Sequence, residues 1–323
     1  MLRTWAERPQ IPDGTAIDVP ERVRSACSWV VGRARDVTVL ESQIESYACS
    51  LATDGETGLD PATHFSGGDA EAQTAFVLCL DAINFGSGWW PTIRKRAGCS
   101  GYETIAAGLT KRFRANGPWT CEQLVGLSTN EVARVLGQAR EHPLIGQFTA
   151  CLRDVGAHVQ AEHRGRFTGV LDVAGGSAVA LVNLLAGWDA FADVSLYDGR
   201  EVPFYKRAQI AAADINRAGV AELDGEERLT AFADNLVPHV LRLDGVIRLD
   251  PALARAIDSG ELLVHGSPAE VELRASAVHA IELLSDACDR RLCPAQIDAI
   301  LWNRGREQRY KAVPRPRSRS TAY

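Results

Sequence analysis

The stretch with the most chemical content is Leu229-Thr230-Ala231-Phe232-Ala233-Asp234-Asn235-Leu236-Val237-Pro238, where a carboxylate lies in an apolar run beside a backbone break. Pro238 has no N–H to donate and biases Val237 away from helical dihedrals. A helix running through Phe232 is therefore expected to stop near Asn235, and another to start at Pro238. Asp234 then sits at a helix C-terminus, where the negative end of the dipole and apolar neighbours both raise its pKa, as a general base needs. The plain alternative is an Asp that ends one helix and caps the next segment.

Other residues invite the same question. Asp298 and Trp302 are four apart on a helix opening at Pro294, so carboxylate and indole share a face, among Ile297, Ile300 and Leu301. A charge there is costly unless paired, so Asp298 either serves function or bridges to a nearby arginine. Adjacent Lys206 and Arg207, near a helix start, either meet an anion or form a solvated pair. His64, beside Phe65, falls in a Gly- and Asp-rich loop over 53–69, where an imidazole is either functional or merely solvated. Asp81 and Asn84 interrupt an otherwise apolar helix and read as an interhelical polar contact. Trp89-Trp90-Pro91 offers a flat apolar surface for packing or for stacking on a planar ligand. His158 and His163 point to different helix faces and no H-E-x-x-H occurs, so no metal site is expected.

The elements that must position these groups read as mainly helical. Pro20 to Leu51 is largely helix, with an apolar segment at Val37–Leu40, and Ala72 to Phe85 is a strong helix ended by Gly86-Ser87-Gly88. Thr120 with Gln123 and Ser128 with Glu131 have capping-box spacing. Asp172–Ser177 lacks either nucleotide-loop glycine pattern and reads as a turn and helix start. Another helix is expected to carry Pro203 in its first turn, with Phe204, Ala208, Ala211 and Ile215 as its core stripe. Ser267-Pro268-Ala269-Glu270 starts a helix with two apolar stripes, hence burial on two sides.

The chain has 323 residues, 46% hydrophobic and 24% charged, with net charge −6. That length buries a large core. Residues 1–20 read as an N-terminal arm, 21–313 as one large helical domain or two intimate lobes, and 314–323 as a basic, Pro-interrupted tail that composition marks as disordered, with contact to phosphate or tRNA as the alternative role. Net acidity argues against a dominant nucleic-acid surface. No apolar run approaches the ~18 residues of a membrane span, and the N-terminal residues have no signal core. The eight scattered cysteines read as reduced core thiols, so a cytoplasmic protein is expected.

Several phrases taken in order resemble one family. They are Leu80–Phe85 with Trp89-Trp90, Phe204-Tyr205-Lys206-Arg207-Ala208-Gln209, Leu229–Asp234 with Val237-Pro238, Gly266-Ser267 with Glu270–Ala275, and Ile297-Asp298 with Leu301-Trp302. Together they resemble the queuosine salvage proteins, from about residue 20 to Tyr323. The resemblance implies a compact multi-helix fold related to helical DNA glycosylases, with few or no strands, and release of queuine from queuosine 5'-monophosphate. It implies Asp234 as the catalytic carboxylate and places His64, Phe232 and Asp298 in the base pocket. The family's usual Tyr-Arg after Phe-Ala-Asp, and Gln after Pro, are replaced here by Asn235, Leu236 and His239.

That chemistry sets further expectations. An oxocarbenium-like sugar needs a carboxylate on one face, and Asp234 suits stabilisation, attack or activation of water. Queuine is a 7-deazaguanine, so leaving-group charge must be met by a pocket acid or by backbone N–H groups of Ala233 to Asn235. Asp298 is a candidate for the cationic cyclopentenediol arm, and Phe232, Trp302 or Trp90 for stacking on the base. Lys206 is the candidate for the 5'-phosphate, with Tyr205 beside it in the substrate-binding set. No cofactor or metal is expected; the partners are the nucleotide and queuine, with no membrane and no stable nucleic-acid complex. The alternatives are a non-catalytic deazapurine-binding module and a glycosylase acting on intact tRNA or DNA.

Overall fold

The computed structural model describes residues 18–51 and 59–323. Most of the 1–20 arm and part of the 53–69 loop lie outside the described residues. The fold is mainly α, with helices joined by short loops and, among the described residues, four short strands in two antiparallel pairs. Val37–Val39 pairs with Ile247–Leu249, Val37 opposite Leu249. Val194–Tyr197 and Arg200–Pro203 form a hairpin whose turn residues Asp198 and Gly199 both have positive φ, which matches the right-handed twist of the strands.

The Pro268–Ala287 helix is the centre of the molecule. Both of its apolar stripes are buried, and it packs against the Val19–Val31, Ile44–Ala48, Val237–Leu243 and Pro294–Arg304 helices. The Lys206–Arg217 helix lies between the Ala70–Ala82 and Ala178–Leu185 helices and buries Ala208, Ala211, Ala212 and Ile215 completely. Helix starts follow the sequence signals: Thr120 and Gln123 close a reciprocal capping box, and Ser128 and Ser177 cap through their hydroxyls. No helix among the described residues is long and apolar enough to cross a membrane. All eight cysteines are free, but only five are buried: Cys49 is exposed, and Cys99 and Cys293 are half-buried.

Three local expectations are overturned. Residues 200–203 are strand, so Pro203 opens no helix; the chain turns at Tyr205, which takes φ 47°, and the helix starts at Lys206. Residues 229–234 are not helical. Their amides are claimed by side chains from elsewhere: Thr230 N–H donates to Gln209 Oε1 at 2.9 Å, and Phe232 N–H to Asp298 Oδ2 at 2.9 Å. Finally, the 314–323 tail is packed. Leu263 N–H donates to the Arg317 carbonyl at 2.8 Å, Gly88 N–H to that of Ser318 at 3.0 Å, and Gly86 N–H to that of Tyr323 at 3.0 Å. Composition misleads here because the segment is held by backbone hydrogen bonds, which residue type does not reveal.

Candidate active site

Three side chains suspend the extended segment that carries Asp234. Gln209 binds Thr230 reciprocally, its Nε2 donating to Thr230 Oγ1 at 2.8 Å. Asp298 takes the Phe232 amide. Arg274, on the central helix, donates from Nε to the Ala233 carbonyl at 2.9 Å. The same guanidinium holds Asp193 through two bonds of 3.0 and 2.6 Å, with both side chains 1% exposed. Asp193 in turn accepts the backbone N–H of Lys206 at 3.2 Å. One buried ion pair therefore ties the Asp234 segment to the corner that aims Lys206.

Asp234 precedes the Val237–Leu243 helix instead of ending one. Its Oδ1 accepts from the amides of Leu236 (2.8 Å) and Val237 (2.9 Å). The dipole argument is thereby reversed: the amides hold the pKa down, together with Lys206, while burial pushes it up and prevails. Asp298 is pushed well above the ordinary carboxylate range, first by burial and then by the Asp234 charge. It makes no arginine salt bridge among the described residues; its partner is the Phe232 amide. Two carboxylates sharing one site titrate as a pair, and the rise is larger at Asp298 than at Asp234.

Lys206 and Arg207 are both buried, so the solvated-pair alternative falls. They diverge: Lys206 Nζ donates to the carbonyl of Asn84 at 2.8 Å and to its Oδ1 at 3.3 Å, while Arg207 binds the Ala82 carbonyl and lies over Phe85. Burial lowers the Lys206 pKa to about 8, against the attraction of Asp234.

These groups open onto a cavity of about 290 Å³, at the small end for small-molecule sites. His64, Lys206, Phe232, Asp234, Asn235, Asp298 and Trp302 all line it, as does Trp90. Tyr205 and Ala233 do not: Tyr205 is the left-handed corner residue, and Ala233 is held by Arg274. The sequence did not single out Tyr102, Asp214, Arg217 or Lys311, and marked Arg315 and Tyr323 only as part of the basic tail; all six share the lining. Tyr102 stands edge-on to Trp302, with centroids 6.2 Å apart, and its hydroxyl meets His64 Nε2 at 3.0 Å. The polar breaks at Asp81 and Asn84 were the one signal for this wall. Asp81 is fully buried beneath it with Oδ2 unpartnered, and Asn84 reaches the cavity.

A family model described as queuosine salvage protein matches residues 63–323. The chain belongs to the queuosine salvage protein family. A Sphaerobacter thermophilus protein named queuosine 5'-phosphate N-glycosylase/hydrolase is 35% identical over 272 residues, 80% of this chain and 84% of the relative. Proteins of that name from Dictyostelium discoideum and Mus musculus are 28% and 26% identical, spanning 93% and 79% of this chain and 98% and 83% of their own. The matched span reaches from Thr63, next to His64, through the packed tail to Tyr323. It therefore takes in nearly the whole cavity wall.

Proposed function

We propose that this protein hydrolyses the N-glycosidic bond of queuosine 5'-monophosphate and releases queuine, with Asp234 as the carboxylate at the anomeric carbon. The observation that carries the reading is the division of labour at Asp234. Oδ1 is fixed by two amides, and Oδ2 takes no hydrogen bond from any described residue, in a cavity that Asp298 and Lys206 also line.

As the C1'–N bond lengthens, positive charge grows on the sugar and negative charge on the base. The ionised Asp234 lowers the energy of the first and takes the proton of the water that adds to C1'. Asp298, whose pKa burial and the Asp234 charge raise, gives its proton to the pyrimidine-ring edge or carbonyl of the departing base and is left as the carboxylate, since a 7-deazapurine has a carbon where purine hydrolases often protonate a nitrogen. Of the Ala233 to Asn235 amides in the backbone alternative, only that of Asp234 has an acceptor among the described residues, the Phe232 carbonyl. Lys206 balances the charge of Asp234. Phe232, Trp302 and Tyr102 suit a flat base, with the His64–Tyr102 pair at its edge.

Asp234→Asn keeps an acceptor for the Leu236 and Val237 amides and removes the charge. Queuine release from the monophosphate is expected to fall about 10³-fold or more while queuine binding persists. Turnover within tenfold of wild type would overturn the role of Asp234. A parallel assay on queuosine-containing tRNA decides against a polynucleotide glycosylase if only the mononucleotide is cut.

A further inference from the structure

The cavity wall carries more positive charge than its carboxylates answer. Arg217 is paired with Asp214 at 3.0 Å, and Arg306 with Glu103. Lys206 spends two donors on Asn84 and sits in the field of Asp234, Asp81 and Asp193. A phosphate dianion beside Lys206 would face those three carboxylates. Arg315 and Lys311 also line the cavity, and neither has a salt-bridge partner among the described residues. Arg315 is half-buried, and Asp234 is the one carboxylate whose charge supports it. A guanidinium removed from water without a fork of acceptors is a costly arrangement unless a ligand supplies them.

The backbone around it is fixed. Asn235, the residue after Asp234, donates from Nδ2 to the Pro316 carbonyl at 2.8 Å. Arg317 Nη2 binds the Gly260 carbonyl at 3.0 Å. Gly88 has no room for a side chain, since a Cβ there would lie 2.6 Å from the Ser318 carbonyl. Arg315 is thus held on an anchored strap whose nearest tie is the neighbour of the reacting carboxylate. In a nucleotide, the 5'-phosphate stands about one ribose away from the anomeric carbon.

We propose that Arg315, with Lys311 at the rim, binds the 5'-phosphate, so that the Pro314–Tyr323 strap is a wall of the substrate site and makes the enzyme prefer nucleotide to nucleoside. This rests on the reading of the function given above. It moves the phosphate from Lys206 to a fork that meets two phosphate oxygens at once.

The test compares kcat/KM for queuosine 5'-monophosphate and for queuosine in wild type, Arg315→Gln and Arg315→Lys. Arg315→Gln is expected to lose about 100-fold on the nucleotide and about threefold or less on the nucleoside. Arg315→Lys, which keeps charge without the fork, is expected to fall between. Inorganic phosphate is expected to compete with the nucleotide in wild type and less well in Arg315→Lys. Equal losses on both substrates would mean that Arg315 acts only through Asp234 and would overturn the proposal, as would no loss at all. A wild type that cuts nucleotide and nucleoside equally well overturns it too, but leaves the hydrolase reading standing. A wild type that cuts neither removes that reading itself.

Discussion

Replacing Lys206 by Met removes a buried ammonium and keeps much of its apolar stem. Burial lowers the Lys206 pKa from 10.5 to about 8 in the folded protein. At about 1.4 kcal/mol per pH unit, holding the charge in the fold costs about 3 kcal/mol below pH 8. Between about pH 8 and 10.5 the unfolded chain keeps a proton on this residue that the folded chain has released, so the wild type gains stability as pH rises through that window. Lys206→Met has no such dependence. Its advantage over wild type is therefore expected to shrink by about 2 kcal/mol between pH 7 and pH 9.5. Urea unfolding of both proteins at the two pH values measures this directly. Groups remote from Lys206 cancel, and the lost bonds to Asn84 affect both pH values alike; Asp234, whose pKa Lys206 holds down, does not cancel, so the comparison is repeated in an Asp234→Asn background. A stability gap that stays constant, or that widens as pH rises, would refute the argument that burial dominates over Asp234 at this site. The same titration places the alkaline limb of wild-type kcat/KM near pH 8.

Two further outcomes follow from the scaffold. Asp193→Asn leaves the Arg274 guanidinium buried with Glu270, at 4.0 Å, as its remaining salt-bridge carboxylate among the described residues. It is expected to destabilise by about 3 kcal/mol in urea unfolding and to slow catalysis by loosening both Ala233 and Lys206. Gly88→Ala places a methyl against the Ser318 carbonyl. It is expected to cost about 1–3 kcal/mol and to free the strap, read as new trypsin cleavage at Arg317 or Arg319 that wild type resists.

The sequence alone determined the helical character, most helix starts and the ordered phrases that mark the family. These are local properties, written in spacing, caps and apolar period. Asp298 and Trp302 meet at the cavity because i and i+4 share a helix face, and that is also local. The conformation of residues 229–234 was settled only by the tertiary structure. Nothing in that stretch says that Gln209 and Asp298 will take its amides, and the reading of Asp234 at the negative end of a helix failed for that reason. The strap was hidden in the same way: a Pro- and Arg-rich composition describes how little apolar surface a segment can bury, whereas 314–323 is held by backbone groups of distant loops. Which cations are free to meet a ligand is likewise a matter of which carboxylates lie beside them, and that is decided by packing alone.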